Sequence, residues 1–144
     1  MALAERTATS VWKGDLMKGS GTVSFGTGAI SDQPVSWPAR TESADGKTSP
    51  EELIAAAAAS CFSMALSHAL SQKGHQPEQL EVKATCVLDR VDGGPKITRV
   101  RLDVRGRVPG MDAAAFEQAA SGQACPVTNA LKGGLDIEIH PSFE

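Results

Sequence analysis

One long apolar helix dominates this chain, and both of its ends are marked in the sequence. Ser49 is a good N-cap, Pro50 suits the first helical position, and Glu52 follows three residues after the cap, which together make a capping box. We expect the helix to run to about Gln72, with Gly74 as its stop. Because nearly all its side chains are apolar or small, it must be buried on several sides. In a chain this short we expect a second copy to supply part of that cover.

The segment before this helix is rich in Thr, Ser, Val and Gly and shows little helical periodicity. It predicts a meander of short strands separated by glycine-containing turns. The predicted strands are residues 7–12, 21–25 and 35–40, and the polar residues 42–49 are predicted to form a loop.

Beyond the helix, apolar and polar residues alternate over residues 80–88 and 100–108, which predicts a hairpin of two long strands. A helix Ala113–Ser121 with Asp112 as its cap, a short helix over residues 126–132 and a strand over 135–139 follow. This order of elements predicts an α+β fold, in a single domain of residues 1–144.

Composition and charge argue against several classes of protein. The net charge of −3 does not favour a nucleic-acid partner, and Arg99, Arg101 and Arg105 alternate along a strand as a solvated face would. No secretory signal and no uninterrupted membrane-spanning stretch are evident, so we expect a cytoplasmic protein with no membrane partner. Three cysteines without a CxxC pair, and three scattered histidines, predict neither a disulfide scaffold nor a metal site.

Two of the three cysteines are candidates for thiol chemistry. Cys61 lies inside the apolar helix, where burial keeps a thiol neutral and inert unless a cation is brought to it. Cys125 precedes Pro126 at a helix start, where the helix dipole favours the thiolate. Each could instead be only a small structural residue, as we expect for Cys86 on the apolar face of its strand. Together the first two suggest a thiol peroxidase, in which one thiol is oxidised and the other closes a disulfide.

Six segments carry a resemblance to a known family. They read WKGDLMKGSGTVS, PARTES, SPEELIAAAAASCFSMALS, KITRVRLDV, VPGMDAAAF and ACPVTNAL. The joint presence of PEEL, ASCFSMAL and CPVTNAL at these spacings is specific, and over nearly its whole length the chain resembles the OsmC/Ohr family of thiol-dependent peroxidases. The resemblance implies antiparallel sheets wrapped around long central helices, in an intertwined homodimer with two sites at its interface.

The resemblance also implies the roles of four residues. Cys61 would be the peroxidatic cysteine and Cys125 the resolving one. Arg40 and Glu51 would be the arginine and glutamate of the site. In one branch of the family the catalytic arginine comes earlier in the chain, but here no arginine lies between Arg6 and Arg40, so Arg40 is the candidate. Glu51 precedes the peroxidatic cysteine by about 15 Å along the helix axis, so we expect it to orient Arg40 by a bidentate contact or to act across a dimer interface. Without the resemblance, Arg40 could be an exposed strand-end charge and Glu51 a carboxylate favoured by the helix dipole.

The expected activity is a hydroperoxide reductase that needs no metal, haem or flavin cofactor. Apolar walls favour organic hydroperoxides over hydrogen peroxide as substrate. An external dithiol would be the reductant, and the resemblance suggests a lipoyl dithiol. Two alternatives stay open: a redox-sensing or ligand-binding dimer that uses the same cysteines without turnover, and a cysteine acyl-transfer enzyme. The latter lacks a nearby base in the sequence, since His68 lies roughly 10 Å beyond Cys61 and is expected at an interface or in the core.

Overall fold

A computed structural model describes all 144 residues, in two compact units, Met1–Pro50 and Glu51–Glu144. The N-terminal unit is an antiparallel sheet followed by a short helix. Its elements are β1 (Ala8–Lys13), β2 (Ser20–Phe25), β3 (Gln33–Val35) and α1 (Trp37–Thr41), with the strands in the order β1-β2-β3. The first two predicted strands are therefore confirmed with a shift of about one residue.

The predicted strand over residues 35–40 is wrong beyond Val35. Ser36 has extended backbone, and its hydroxyl accepts a hydrogen bond from the Ala39 N–H at 3.2 Å, so it caps helix α1. Pro38 lies in the first helical turn, where its missing N–H costs nothing, whereas a strand would lose a ladder hydrogen bond there. The local cap and the proline together outweigh the extended character of the segment, which places Arg40 on a helix.

The long helix α2 (Pro50–Gln72) has the predicted limits. Its end is confirmed by Gly74, which has a positive φ of 84°, and by the His75 N–H, which reaches back to the Leu70 carbonyl at 3.0 Å. One face is fully buried at four-residue intervals, by Ala58, Phe62, Leu66 and Leu70. The helix is long and apolar enough to cross a membrane, a test that the core helix of a soluble protein also passes.

The C-terminal unit is built on one three-stranded sheet, ordered β4 (Gln79–Val91), β5 (Gly94–Arg107) and β6 (Asp136–Phe143). The predicted hairpin is confirmed, and its turn uses positive φ at Asp92 and Gly93. β6, however, runs parallel to β5, with Leu102 opposite Ile139. The expectation of antiparallel sheets is therefore wrong for this pair, because α3 and α4 supply the crossover that a parallel partner needs. The α+β class itself is confirmed.

Two helices connect β5 to β6, and both match their predictions. They are α3 (Ala113–Ser121), whose cap Asp112 accepts from the Ala115 N–H at 2.8 Å, and α4 (Pro126–Leu131). Side chains of α2, α3, α4 and the sheet share one core, which includes Phe62, Leu102 and Phe116. On β5, Arg99, Arg101 and Arg105 point away from that core and are exposed, as predicted for a solvated face.

Helix α3 packs tightly against the sheet at Gly106. A Cβ at Gly106 would overlap the Phe116 ring and meet Leu80 Cδ2 at 3.2 Å. We expect Gly106→Ala to lower the free energy of unfolding by about 1–3 kcal/mol, because the core must shift to admit the methyl group. Urea denaturation measures this change. Gly94→Ala is the matched control on the same strand, since only the Val91 carbonyl lies near, at 4.0 Å. Equal stability of the two variants would contradict the assignment.

Candidate active site

Cys61 lies in the middle of helix α2, next to the fully buried Phe62. It is partly exposed and packs against the core of the C-terminal unit. The helix itself offers this sulfur no donor, because backbone N–H groups in mid-helix are bonded within the helix. Any group that stabilises charge on Cys61 must therefore come from another element.

Cys125 is the N-cap of helix α4, as the sequence predicts, and is only 2% exposed. Its sulfur accepts a hydrogen bond from the Thr128 N–H at 3.5 Å and lies 3.4 Å from the Thr128 hydroxyl. The N–H of Cys125 donates in turn to the same hydroxyl at 3.1 Å, which completes a capping box. The sulfur is thus held at a fixed place by a buried neighbour.

The fold brings these two thiols together. Cys61 and Cys125 lie close enough for the side chain of each to change the pKa of the other, and the backbone N–H of Val127 lowers the pKa of both. Both cysteines are free thiols. Residues 64 positions apart in the chain are therefore neighbours in the fold.

The surroundings shift the pKa values of the two thiols in opposite directions. Burial raises the pKa of Cys61, and its hydrogen bond with Cys125 raises it further, against a smaller lowering by the Val127 N–H. Burial acts in the same direction on Cys125, but hydrogen bonds from the Thr128 hydroxyl and N–H, from Cys61 and from Val127 outweigh it and lower its pKa. Cys125 is therefore the thiol whose pKa is lowered, and Cys61 the one whose pKa is raised.

Arg40 belongs to the N-terminal unit, where it lies in the last turn of helix α1. Its guanidinium carbon lies over the Trp37 ring, 5.3 Å from the ring centroid, in a cation–π contact. Arg40 is the one charged residue that lines a cavity of about 350 Å³ in this unit, which is otherwise mostly apolar. The cavity is lined by Ser10, Trp12, Leu16, Val35, Ser36, Trp37, Arg40 and Pro50.

Glu51 lies in the first turn of helix α2 and is only 7% exposed. Its charge acts on Cys86 of β4: burial raises the pKa of Cys86, and the Glu51 carboxylate raises it further. Sequence reasoning missed this proximity, for which neither residue carries a local signal. Cys86 is partly buried against the core, as predicted, and its raised pKa makes it the inert kind of thiol.

Comparison with known proteins decides the family. A family model described as OsmC-like protein matches residues 43–140. The peroxiredoxin OsmC of Escherichia coli strain K12 is 42% identical over 131 residues, which cover 88% of this chain and 90% of that protein. The chain belongs to the OsmC family. The resemblance drawn from the PEEL, ASCFSMAL and CPVTNAL segments is thereby confirmed.

Other relatives of this OsmC-family protein carry names from the organic hydroperoxide resistance branch. The organic hydroperoxide resistance protein of Xanthomonas axonopodis pv. citri is 31% identical over 112 residues, which cover 75% of this chain and 77% of that protein. The crystal structure of OhrB of Bacillus subtilis is 27% identical, with a TM-score of 0.71 over 94% of this chain and 98% of that one.

A second solved structure supports the fold of this OsmC-family chain over its full length. An organic hydroperoxide resistance protein OsmC from Legionella pneumophila matches with a TM-score of 0.78, 24% identity and 99% coverage of both chains. The roles of Cys61, Cys125, Arg40 and Glu51 do not follow from these likenesses and remain predictions from the sequence.

Proposed function

We propose that this protein is a thiol-dependent hydroperoxide reductase, a cysteine peroxidase that reduces organic hydroperoxides, and also hydrogen peroxide, without a metal or organic cofactor. The proximity of two free thiols, Cys61 and Cys125, carries the proposal. The names of the relatives, peroxiredoxin and organic hydroperoxide resistance protein, support the same substrate class.

In the proposed reaction the Cys61 thiolate attacks the distal oxygen of ROOH. The O–O bond breaks, the alkoxide takes a proton and leaves as alcohol, and Cys61 becomes a sulfenic acid. The Cys125 sulfur then attacks the Cys61 sulfur and displaces the hydroxyl as water, which closes the disulfide. One hydroperoxide is reduced by two electrons, and the two thiols supply both electrons and both protons.

Arg40 and the cavity beside it have distinct parts in this proposal. The guanidinium supplies the positive charge that Cys61 lacks within its own unit, and so favours the thiolate. The apolar cavity wall accepts the alkyl tail of the substrate, worth about 0.8 kcal/mol for each buried methylene. Glu51 orients the guanidinium of Arg40 by a bidentate contact, from the same chain or from its partner.

The wider setting completes the proposal. Residues 1–144 form one OsmC-like domain, since the family match runs across the boundary between the two units. The chain pairs as an intertwined homodimer around central helices, because only 22% of the most apolar stretch of helix α2 is buried within a single chain and a second copy can cover the rest. The protein is cytoplasmic, with no nucleic-acid or membrane partner, and an external dithiol of the lipoyl type reduces its disulfide.

Turnover is the measurement that tests this proposal. We expect each chain to consume many equivalents of cumene hydroperoxide when dihydrolipoamide is present, and to use hydrogen peroxide less efficiently because it has no tail to bury. tert-Butyl hydroperoxide is the matched control, with the same reacting group and a smaller tail. A redox-sensing dimer would instead stop after one peroxide for each thiol pair, and that result would overturn the enzyme assignment.

A further inference from the structure

Thr128 is a buried polar residue to which the mechanism above assigns no step. It is 2% exposed, and its hydroxyl lies within hydrogen-bond distance of three atoms of Cys125. It accepts from the Cys125 N–H at 3.1 Å, lies 3.1 Å from the Cys125 carbonyl oxygen, and lies 3.4 Å from the Cys125 sulfur. A hydroxyl has a single proton, so it can donate to the carbonyl or to the sulfur but not fully to both.

The charge on the sulfur decides which acceptor receives that proton. A neutral thiol is a weak acceptor, so the Thr128 hydroxyl then donates to the Cys125 carbonyl. A thiolate is a strong acceptor, and hydrogen bonds to ionised groups are roughly twice as strong as neutral ones. The Thr128 N–H already points at the same sulfur, at 3.5 Å. The residue therefore stabilises Cys125 mainly when its sulfur is negatively charged.

We propose that Thr128 is a positioning residue that holds the Cys125 sulfur as the departing thiolate when the Cys61–Cys125 disulfide is reduced, so that the reducing dithiol enters at Cys61. This inference rests on the proposed function, since it concerns the second half of that catalytic cycle.

The reductive step is an ordinary thiol–disulfide exchange. A thiolate of the dithiol attacks the Cys61 sulfur, the bond between Cys61 and Cys125 breaks, and its electron pair stays on Cys125. The second sulfur of the dithiol, as a thiolate, then displaces Cys61 and closes the reductant's own disulfide. Two electrons pass from the dithiol to the protein, and the two protons of the dithiol finish on the two cysteines.

Two independent observations favour entry at Cys61. The thiol with the lower pKa is the better leaving group, and the Thr128 N–H at 3.5 Å and hydroxyl at 3.4 Å from the Cys125 sulfur lower the pKa of Cys125. Access has the same direction, because Cys125 is only 2% exposed even within a single chain. A reductant that attacked Cys125 would have to reach this buried sulfur, and the donors of Thr128 would not stabilise the thiolate that leaves.

The position of a trapped adduct tests the direction of attack in the unaltered protein. The disulfide is formed with diamide, treated with excess 2-mercaptoethanol, quenched by rapid alkylation, and digested for mass spectrometry. We expect 2-mercaptoethanol on Cys61 and the alkyl group on Cys125. Most of the adduct on Cys125 would overturn the proposal. Because diamide makes the disulfide, this result does not depend on peroxidase activity.

Variants of Thr128 test its part in the same step. We expect Thr128→Val to slow reduction of the diamide-formed disulfide by dithiothreitol about tenfold, because the departing thiolate loses a charge-assisted donor. Thr128→Ser keeps the hydroxyl and should stay within about twofold of the wild-type rate. Asn129→Ala is the matched control on α4, since its side chain is exposed.

If Thr128 only capped helix α4, its substitution would leave the alkylation pH profile of Cys125 unchanged. The alkylation pH profile of Cys125, measured in a Cys61→Ser background, should move to higher pH in Thr128→Val and not in Thr128→Ser. An unchanged profile together with wild-type reduction kinetics in Thr128→Val would overturn the assignment. Failure of hydroperoxide to form the disulfide at all would instead count against the proposed function.

Discussion

Cys61→Ser is expected to lower hydroperoxide turnover by at least about 1,000-fold, the largest effect of any substitution in this chain. A serine hydroxyl in the same place does not ionise near neutral pH, so no nucleophile remains to attack the peroxide oxygen. The hydrogen bond to Cys125 can still form, and the helix keeps its packing, so the loss should occur without a loss of stability. Steady-state consumption of cumene hydroperoxide with a dithiol measures the effect.

Cys86→Ser is the matched control for this prediction. Cys86 is in the same core, but the Glu51 carboxylate and burial raise its pKa, and it is not part of the thiol pair. We expect near-wild-type turnover from this variant. Near-wild-type turnover from Cys61→Ser would remove Cys61 from the chemistry and would transfer the search for the nucleophile to the more acidic Cys125.

Arg40→Ala is expected to slow peroxide attack at neutral pH by roughly 10- to 1,000-fold. The pKa of Cys61 is already raised by burial, and the substitution removes the positive charge that favours its thiolate in this proposal, so the thiolate fraction at a given pH falls. Because a higher pH restores the thiolate, the variant should recover part of its rate as the pH rises toward the pKa of the Cys61 thiol. The alkylation pH profile of Cys61, measured in a Cys125→Ser background, should move to higher pH in parallel.

Two substitutions serve as controls for Arg40→Ala. Arg40→Lys keeps the charge but loses the planar guanidinium that contacts Trp37, so an intermediate rate is expected. Arg6→Ala removes an exposed arginine of the same unit and should leave the rate unchanged. An unaltered Cys61 alkylation profile in Arg40→Ala would show that the guanidinium does not stabilise the Cys61 thiolate, and would leave Arg40 with a structural role beside the cavity.

Much of this fold was predictable because its strongest signals are local. Ser49, Pro50 and Gly74 mark the ends of α2 through cap and stop chemistry that does not depend on the rest of the chain. Asp112 and Cys125 mark the starts of the two short helices in the same way. The hairpin followed from alternation on two long strands joined by Asp-Gly-Gly.

The errors and omissions all concern information that is not local. Alternation in β6 identifies a strand but not its direction, so its parallel pairing with β5 could not be predicted. The predicted strand over residues 35–40 is wrong because the Ser36 cap starts a helix in a segment that looks extended from its composition. The effect of the Glu51 charge on the pKa of Cys86, and the contact of the Thr128 hydroxyl with the Cys125 sulfur, depend on how distant or buried groups finally pack.

The proximity of the two thiols bears on how the proposed enzyme survives its own substrate. A sulfenic acid that waits for its partner can meet a second peroxide and pass irreversibly to the sulfinic state. Here the two thiols are near enough before oxidation begins for each to change the pKa of the other. We expect intramolecular capture to outpace a bimolecular collision except at very high peroxide concentration. The proximity that pairs the thiols would thus protect the protein from self-inactivation.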